Sequence, residues 1–179
     1  MTTALIIVES CFGSTRAVAQ ALAEELTSAG LSTQVLEAPD APHALPEDLD
    51  LLVLAAPTHE RRLPSAASRA QAAKRGAPTI PSTGVREWLE AATIPPRVRV
   101  AAADTVTGRS WLSGSAAKDA AKRLRRDHGR ADTQCRSFLV SSFQGPLADG
   151  EQAAVRAWGQ RLARQSVDDS QHRSSRNEQ

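Results

Sequence analysis

Tyrosine is absent from the chain, and aromatic residues of every kind make up only 3% of it. Flat cofactors are usually gripped by aromatic faces, so each remaining ring counts. Trp88 and Trp158 stand at helical spacing and read as core, whereas Trp111 lies outside any helical stripe and is open to stacking on a ligand or packing at a sheet edge. Cysteine is scarce too. Cys11 and Cys135 stand in unrelated contexts, with neither a disulfide framework nor zinc-ligand spacing, and read as free thiols. No apolar run approaches a membrane span. No basic stretch followed by a long apolar one opens the chain, so no signal peptide and a cytoplasmic protein are expected. A net charge of +2 is too small to argue for nucleic acid.

What is present fits one α/β domain in 179 residues. The apolar run Ala4-Leu5-Ile6-Ile7-Val8 reads as a buried first strand. It leads into Glu9-Ser10-Cys11-Phe12-Gly13-Ser14-Thr15-Arg16, at the start of an amphipathic helix from Ser14 to Ala29 marked by Val18, Leu22 and Leu26. A strand-to-helix junction of this kind is an anion site. Unpaired amides, the helix dipole and the hydroxyls of Ser10, Ser14 and Thr15 converge there, and phosphate is the natural guest.

Further strands are predicted over Ser32 to Glu37, Asp50 to Ala56, Val98 to Ala103 and Cys135 to Phe143. Helices are predicted over Ser65 to Arg75, Gly84 to Ala92, about Ser113 to His128, and Leu147 to Arg164. Cys135, opening the last strand, reads as a buried thiol. Residues 1–164 form the expected domain, and the polar segment 165–179 lacks a core face and is expected to be disordered. Strands alternating with helices give a three-layer α/β fold with a parallel sheet, and ligands of such sheets bind at the carboxyl ends of the strands. Three loops lie there: Glu9 to Thr15, Pro57 to Pro64, and Asp104 to Leu112.

On these residues the chain resembles the flavodoxin family. The first loop matches Glu-Ser-x-Phe-Gly-x-Thr, and Pro57-Thr58-His59 follows the third strand. Gly84-Val85-Arg86-Glu87-Trp88-Leu89, Asp104-Thr105, Leu112-Ser113-Gly114-Ser115-Ala116-Ala117 and Gly145-Pro146-Leu147 then come in order, so the similarity covers about residues 4 to 164. The resemblance implies strand order 2-1-3-4-5, bound FMN, and electron transfer or flavin-dependent reduction with a redox protein or a nicotinamide nucleotide as partner. It places the FMN phosphate on Ser10, Phe12, Gly13, Ser14 and Thr15. It sets Pro57, Thr58 and His59 at one edge of the flavin, and Asp104, Thr105 and Trp111 at the other. His59 would lend the ring a hydrogen bond or a positive charge, unless it is a solvent-facing loop residue.

Glu60-Arg61-Arg62 stands where family members commonly carry small or aromatic residues. The two arginines read either as solvated or as a clamp for an anionic substrate or nicotinamide phosphate. The slightly basic charge points to a reductase or a divergent member rather than an acidic electron carrier. Two alternatives stand beside this reading. A low-molecular-weight cysteine phosphatase or arsenate-reductase-like enzyme would use Cys11 as a nucleophile, although only four residues separate Cys11 from Arg16 and Asp-Pro is absent. The other alternative is a non-catalytic module of the same fold without flavin. Lys118, Lys122, Arg123, Arg125 and Arg126 read as a solvated helix face.

Overall fold

In a computed structural model the structure describes residues 1–177, the side chains of Trp111 and of residues 173–177 excepted. Five strands, β1 (Thr3–Val8), β2 (Ser32–Glu37), β3 (Leu51–Pro57), β4 (Arg99–Val106) and β5 (Gln134–Leu139), form one sheet in the order β2-β1-β3-β4-β5. Every neighbouring pair is parallel. The central strands β1, β3 and β4 are buried almost throughout, as their unbroken apolar runs require when helices cover both faces. The edge strands β2 and β5 are half-exposed, and Cys135, on β5, is exposed rather than buried.

Helices α1 (Ser14–Ser28) and α5 (Glu151–Asn177) cover one face. Leu22, Leu26, Trp158 and Leu162 pack there on Ile6, Val53 and Phe138. Gly159 allows the close approach of these two helices, since a Cβ at that position would lie 2.9 Å from the Glu25 Cβ. Helices α3 (Val85–Ala91) and α4 (Ala116–His128) cover the other face, where Trp88, Leu89 and Leu124 meet Leu52, Leu54 and Val100. The short helix α2 (Ala66–Lys74) follows the β3 loop. Among the described residues no helix is long and apolar enough to cross a membrane.

Besides later starts for α4 and α5, three boundaries differ from the sequence reading in ways that matter for the site or the domain. β4 runs on to Val106, so Asp104 and Thr105 are strand residues paired with Ala56 and Pro57 rather than loop residues. β5 stops at Leu139, and the chain then turns through Ser141 to Gly145, with Val140 bridging Leu147. Helix α5 continues through 165–177, where disorder is expected from sequence. Its extension has a core contact after all: Ser166 is 2% exposed, Val167 packs on the α1/α5 core, and Arg99 of β4 pairs with Asp169. Residues 178 and 179 lie outside the described residues.

Candidate functional site

A cavity of about 530 Å³ opens at the carboxyl ends of the strands. Its floor is the β1–α1 loop. Gly13 adopts a left-handed conformation (φ 99°) just before α1, its amide donates to Ser10 Oγ at 3.1 Å, and its carbonyl accepts the Ala17 amide at 2.9 Å. Helix α1 has no side-chain cap and no acidic residue in its first turn. Among the described residues the amides of Ser14, Thr15 and Arg16 have no hydrogen-bond partner. Ser14 and Thr15 line the cavity, so the positive end of the helix dipole is directed to it without a protein anion in between.

The neighbouring helices begin differently. At α4, Asp104 accepts the Ser115 hydroxyl at 2.6 Å, the Ala117 amide at 3.0 Å and the Thr58 hydroxyl at 3.0 Å. Thr58 Oγ1 in turn accepts the Ala116 amide at 2.9 Å, and Ser115 Oγ accepts the Lys118 amide at 3.1 Å. At α3, the Val85 amide donates to Glu9 at 2.9 Å and the Gly84 amide to Glu87 at 2.8 Å. At α2, Ser65 and Ser68 form a reciprocal cap. Of α1 to α4, only α1 has none of its first three amides taken by a protein acceptor.

Glu9 holds the first loop in place from below. Its carboxylate is wholly buried and lies 3.1 Å from Arg69, which is 3% exposed and bonds Glu87 at 2.9 Å with its other nitrogen. Gly84 is required beside it, because a Cβ would come within 2.1 Å of the Glu9 carboxylate. Burial pushes the Glu9 carboxyl up against the opposing pull of the Val85 amide and of Arg69. Burial, with the Glu9 charge beside it, also pushes the Cys11 thiol up to about 11. A nucleophilic cysteine needs the reverse shift, so Cys11 lacks the setting that a phosphatase or arsenate reductase would give it.

The walls come from elsewhere. His59 is half-buried, its Nδ1 3.2 Å from Ser68 Oγ, and burial followed by the Arg69 charge lowers its pKa. It is therefore neutral near pH 7, able to exchange hydrogen bonds but carrying no charge. Helix α2 turns Ser68, Gln71, Ala72 and Arg75 toward the cavity at helical spacing. The Phe143 ring meets Phe12 edge-on at 5.5 Å, and the Arg75 guanidinium sits 5.6 Å above Phe143.

No protein-family model and no curated protein matches the chain. Solved structures do. A flavodoxin from the domain Archaea superposes with a TM-score of 0.59 over 93% of this chain and 99% of its own, at 14% identity. Flavodoxin 1 from Bacillus cereus gives 0.57 over 89% and 95%, also at 14% identity. The fold is flavodoxin-like. Rubredoxin oxygen:oxidoreductase from Desulfovibrio gigas carries the same fold in part of its length, with a TM-score of 0.60 over 93% of this chain, 36% of its own, and 17% identity.

Within this flavodoxin-like fold, Ser10, Phe12, Ser14, Thr15, Pro57, Thr58, His59 and Thr105 all line the cavity, while Gly13 shapes the turn beneath it. Asp104 is placed differently from the expected flavin edge. It is completely buried under the site, and its role there is to tie the β3 loop to the start of α4. The side chain of Trp111 lies outside the described residues. Arg61 and Arg62 are exposed and do not line the cavity, where Arg75 is the arginine present.

Sequence reasoning placed Thr107 and Glu9 in loops at the site without singling them out, and it missed Ser68, Gln71, Arg75, Val140 and Phe143 as lining residues and the Glu9–Arg69 pair as the support. Phe143 alone carried a legible signal, as one of only six aromatic rings in the chain, standing at the end of the last predicted strand. Among the described residues no cluster of side chains suited to a metal ion occurs.

Proposed function

We propose that this cavity binds FMN and that the protein takes part in flavin-dependent electron transfer or reduction, exchanging electrons with a redox protein or a nicotinamide nucleotide. The observation that carries this reading is the start of α1: three amides without protein acceptors, no cap and no acidic residue, at the floor of a cavity large enough for a flavin nucleotide. The Glu9-Ser10-Cys11-Phe12-Gly13-Ser14-Thr15 motif and the likeness of fold to flavodoxins support it. The donor set fits a phosphate, because amides and hydroxyls at a helix start satisfy its oxygens and the dipole favours its charge.

When bound, FMN supplies the one-electron and hydride chemistry. The chain's own residues hold and tune it. Ser14, Thr15 and Arg16 offer their amides to the phosphate. Pro57 to Glu60 form one wall, where the neutral imidazole of His59 would be available to exchange a hydrogen bond with the flavin. Phe143, with Phe12 at its edge, lines the cavity and would offer the flavin an aromatic face in place of the missing tyrosine.

FMN added to the purified protein is expected to lose its fluorescence and to give a resolved, shifted visible spectrum. Unchanged fluorescence and spectrum at high FMN would overturn the reading and leave the same fold without a flavin.

A further inference from the structure

Apart from Met1, the large hydrophobic side chains exposed among the described residues are Ile80, Leu112 and Phe143, at 43%, 55% and 51%. All three belong to segments around the cavity mouth. Phe143 lines it. Ile80 follows Thr79, whose amide bonds the Cys11 carbonyl at 3.3 Å beside the first loop. Leu112 precedes Gly114, whose backbone lies against Arg61 so closely that a Cβ there would be 2.3 Å from the Arg61 Cα.

Three arginines stand among them. Arg75 reaches over Phe143, and Arg61 and Arg62 project from the tight turn that closes between the His59 and Arg62 backbones with two 3.0 Å hydrogen bonds. Among the described residues, none of these three guanidinium groups is paired with a carboxylate. The turn is strained: Glu60 and Arg61 both take positive φ, 48° and 73°, where glycine would be at ease. The Ser115 amide fixes it by donating to the Arg61 carbonyl at 3.2 Å. Against these arginines the cavity lining has one carboxylate, Glu60.

Exposed apolar side chains interleaved with arginine are the composition of a protein-binding surface, and unpaired positive charge selects an acidic partner. We propose that the rim of the cavity is the docking face for an acidic protein, received by Arg61, Arg62 and Arg75 and by the apolar side chains of Ile80, Leu112 and Phe143. As to what passes between the two proteins, the proposal rests on the flavin reading. The docking itself needs only the rim. Held there, the partner would lie over the cavity, and the basic rim would steer its approach.

A fluorescently labelled acidic [2Fe–2S] ferredoxin serves as the probe, titrated with the full protein with and without added FMN and followed by anisotropy. Binding is expected at about 20 mM salt and is expected to weaken steeply by about 500 mM, where the screening length falls to a few ångströms. The double variant Arg61→Glu/Arg62→Glu should weaken binding about tenfold at low salt. The control Arg97→Glu/Arg125→Glu makes the same change in net charge on exposed residues just before the amino end of β4 and in the last turn of α4, at the opposite end of the sheet, and should change binding less than about twofold.

Equal effects of the two double variants, no binding at low salt, or a preference for basic cytochrome c or a single-stranded DNA of similar size would overturn the proposal. Failure to quench FMN with ferredoxin binding intact would remove the flavin reading alone. Quenched FMN without ferredoxin binding would remove the docking face alone.

Discussion

The Glu9 carboxylate and the Arg69 guanidinium meet at 3.1 Å with 0% and 3% of their side chains exposed, 60 residues apart in the chain. Through this pair the first loop, α2 and the start of α3 are fixed to one another directly beneath the cavity. Buried ion pairs are weak sources of net stability, yet losing one partner leaves the other charge uncompensated.

Arg69→Met is therefore expected to destabilise the fold by about 3 kcal/mol, since it leaves Glu9 buried without its cation. The double variant Glu9→Gln/Arg69→Met should recover part of that loss, because the remaining group is neutral. Urea unfolding of the three proteins measures both, and a loss of less than about 1 kcal/mol in the single variant would show that the pair does not hold the loop.

Asp104→Ala should cost about 3 kcal/mol, because it strips the acceptor from two hydroxyls and an amide at the buried start of α4. Thr58 then loses the group that orients it, so the β3 wall of the cavity loosens as well. Thermal unfolding gives the first effect and faster amide exchange at Ala116 and Ala117 the second. Unchanged exchange at these two amides would assign the stability loss to another cause.

The two thiols should separate in a labelling experiment. With its pKa pushed up to about 11, Cys11 is buried and holds only about one thiolate in ten thousand at pH 7, whereas Cys135 is exposed on an edge strand, although burial of its sulfur beside the Ala117 carbonyl pushes its thiol up too. A disulfide exchange reagent is expected to titrate one thiol in the native protein and two after unfolding. Aryl phosphate hydrolysis should be undetectable and unaffected by Cys11→Ser. Native reactivity lost in that variant would restore a nucleophilic Cys11.

His59 predicts a pH dependence. Its pKa is lowered in the fold from the ordinary value of 6.5, so the unfolded chain takes up the proton more readily. Its contribution to stability is present above that value and is lost as the pH falls below it. Glu9, with a raised pKa, works in the opposite direction at lower pH, and only the difference between parent and variant isolates the histidine. His59→Asn is expected to flatten the loss of stability between about pH 7 and pH 5. Parallel curves for the two proteins would mean that the ring is already solvated in the fold.

Sequence by itself determined the layers and the uncapped strand-to-helix junction. The apolar runs Ala4 to Val8 and Leu51 to Ala56 can be buried only with helices on both faces, and the spacing of Val18, Leu22 and Leu26 fixes which side of α1 turns inward. The junction at Gly13 to Thr15 was legible because its chemistry is local: a strand ends, a helix begins, and its first amides have no partner. Tertiary structure alone decided what surrounds that junction. Arg75 and Phe143 meet over the cavity, and Arg69 finds Glu9, because the crossovers return distant segments to one end of the sheet. Side-chain periodicity records which face of an element is apolar, but it is silent on which polar groups from separate crossovers will share a buried site. The same holds for α5, whose polar extension looks unfoldable by composition until Arg99 and the α1/α5 core supply its contacts.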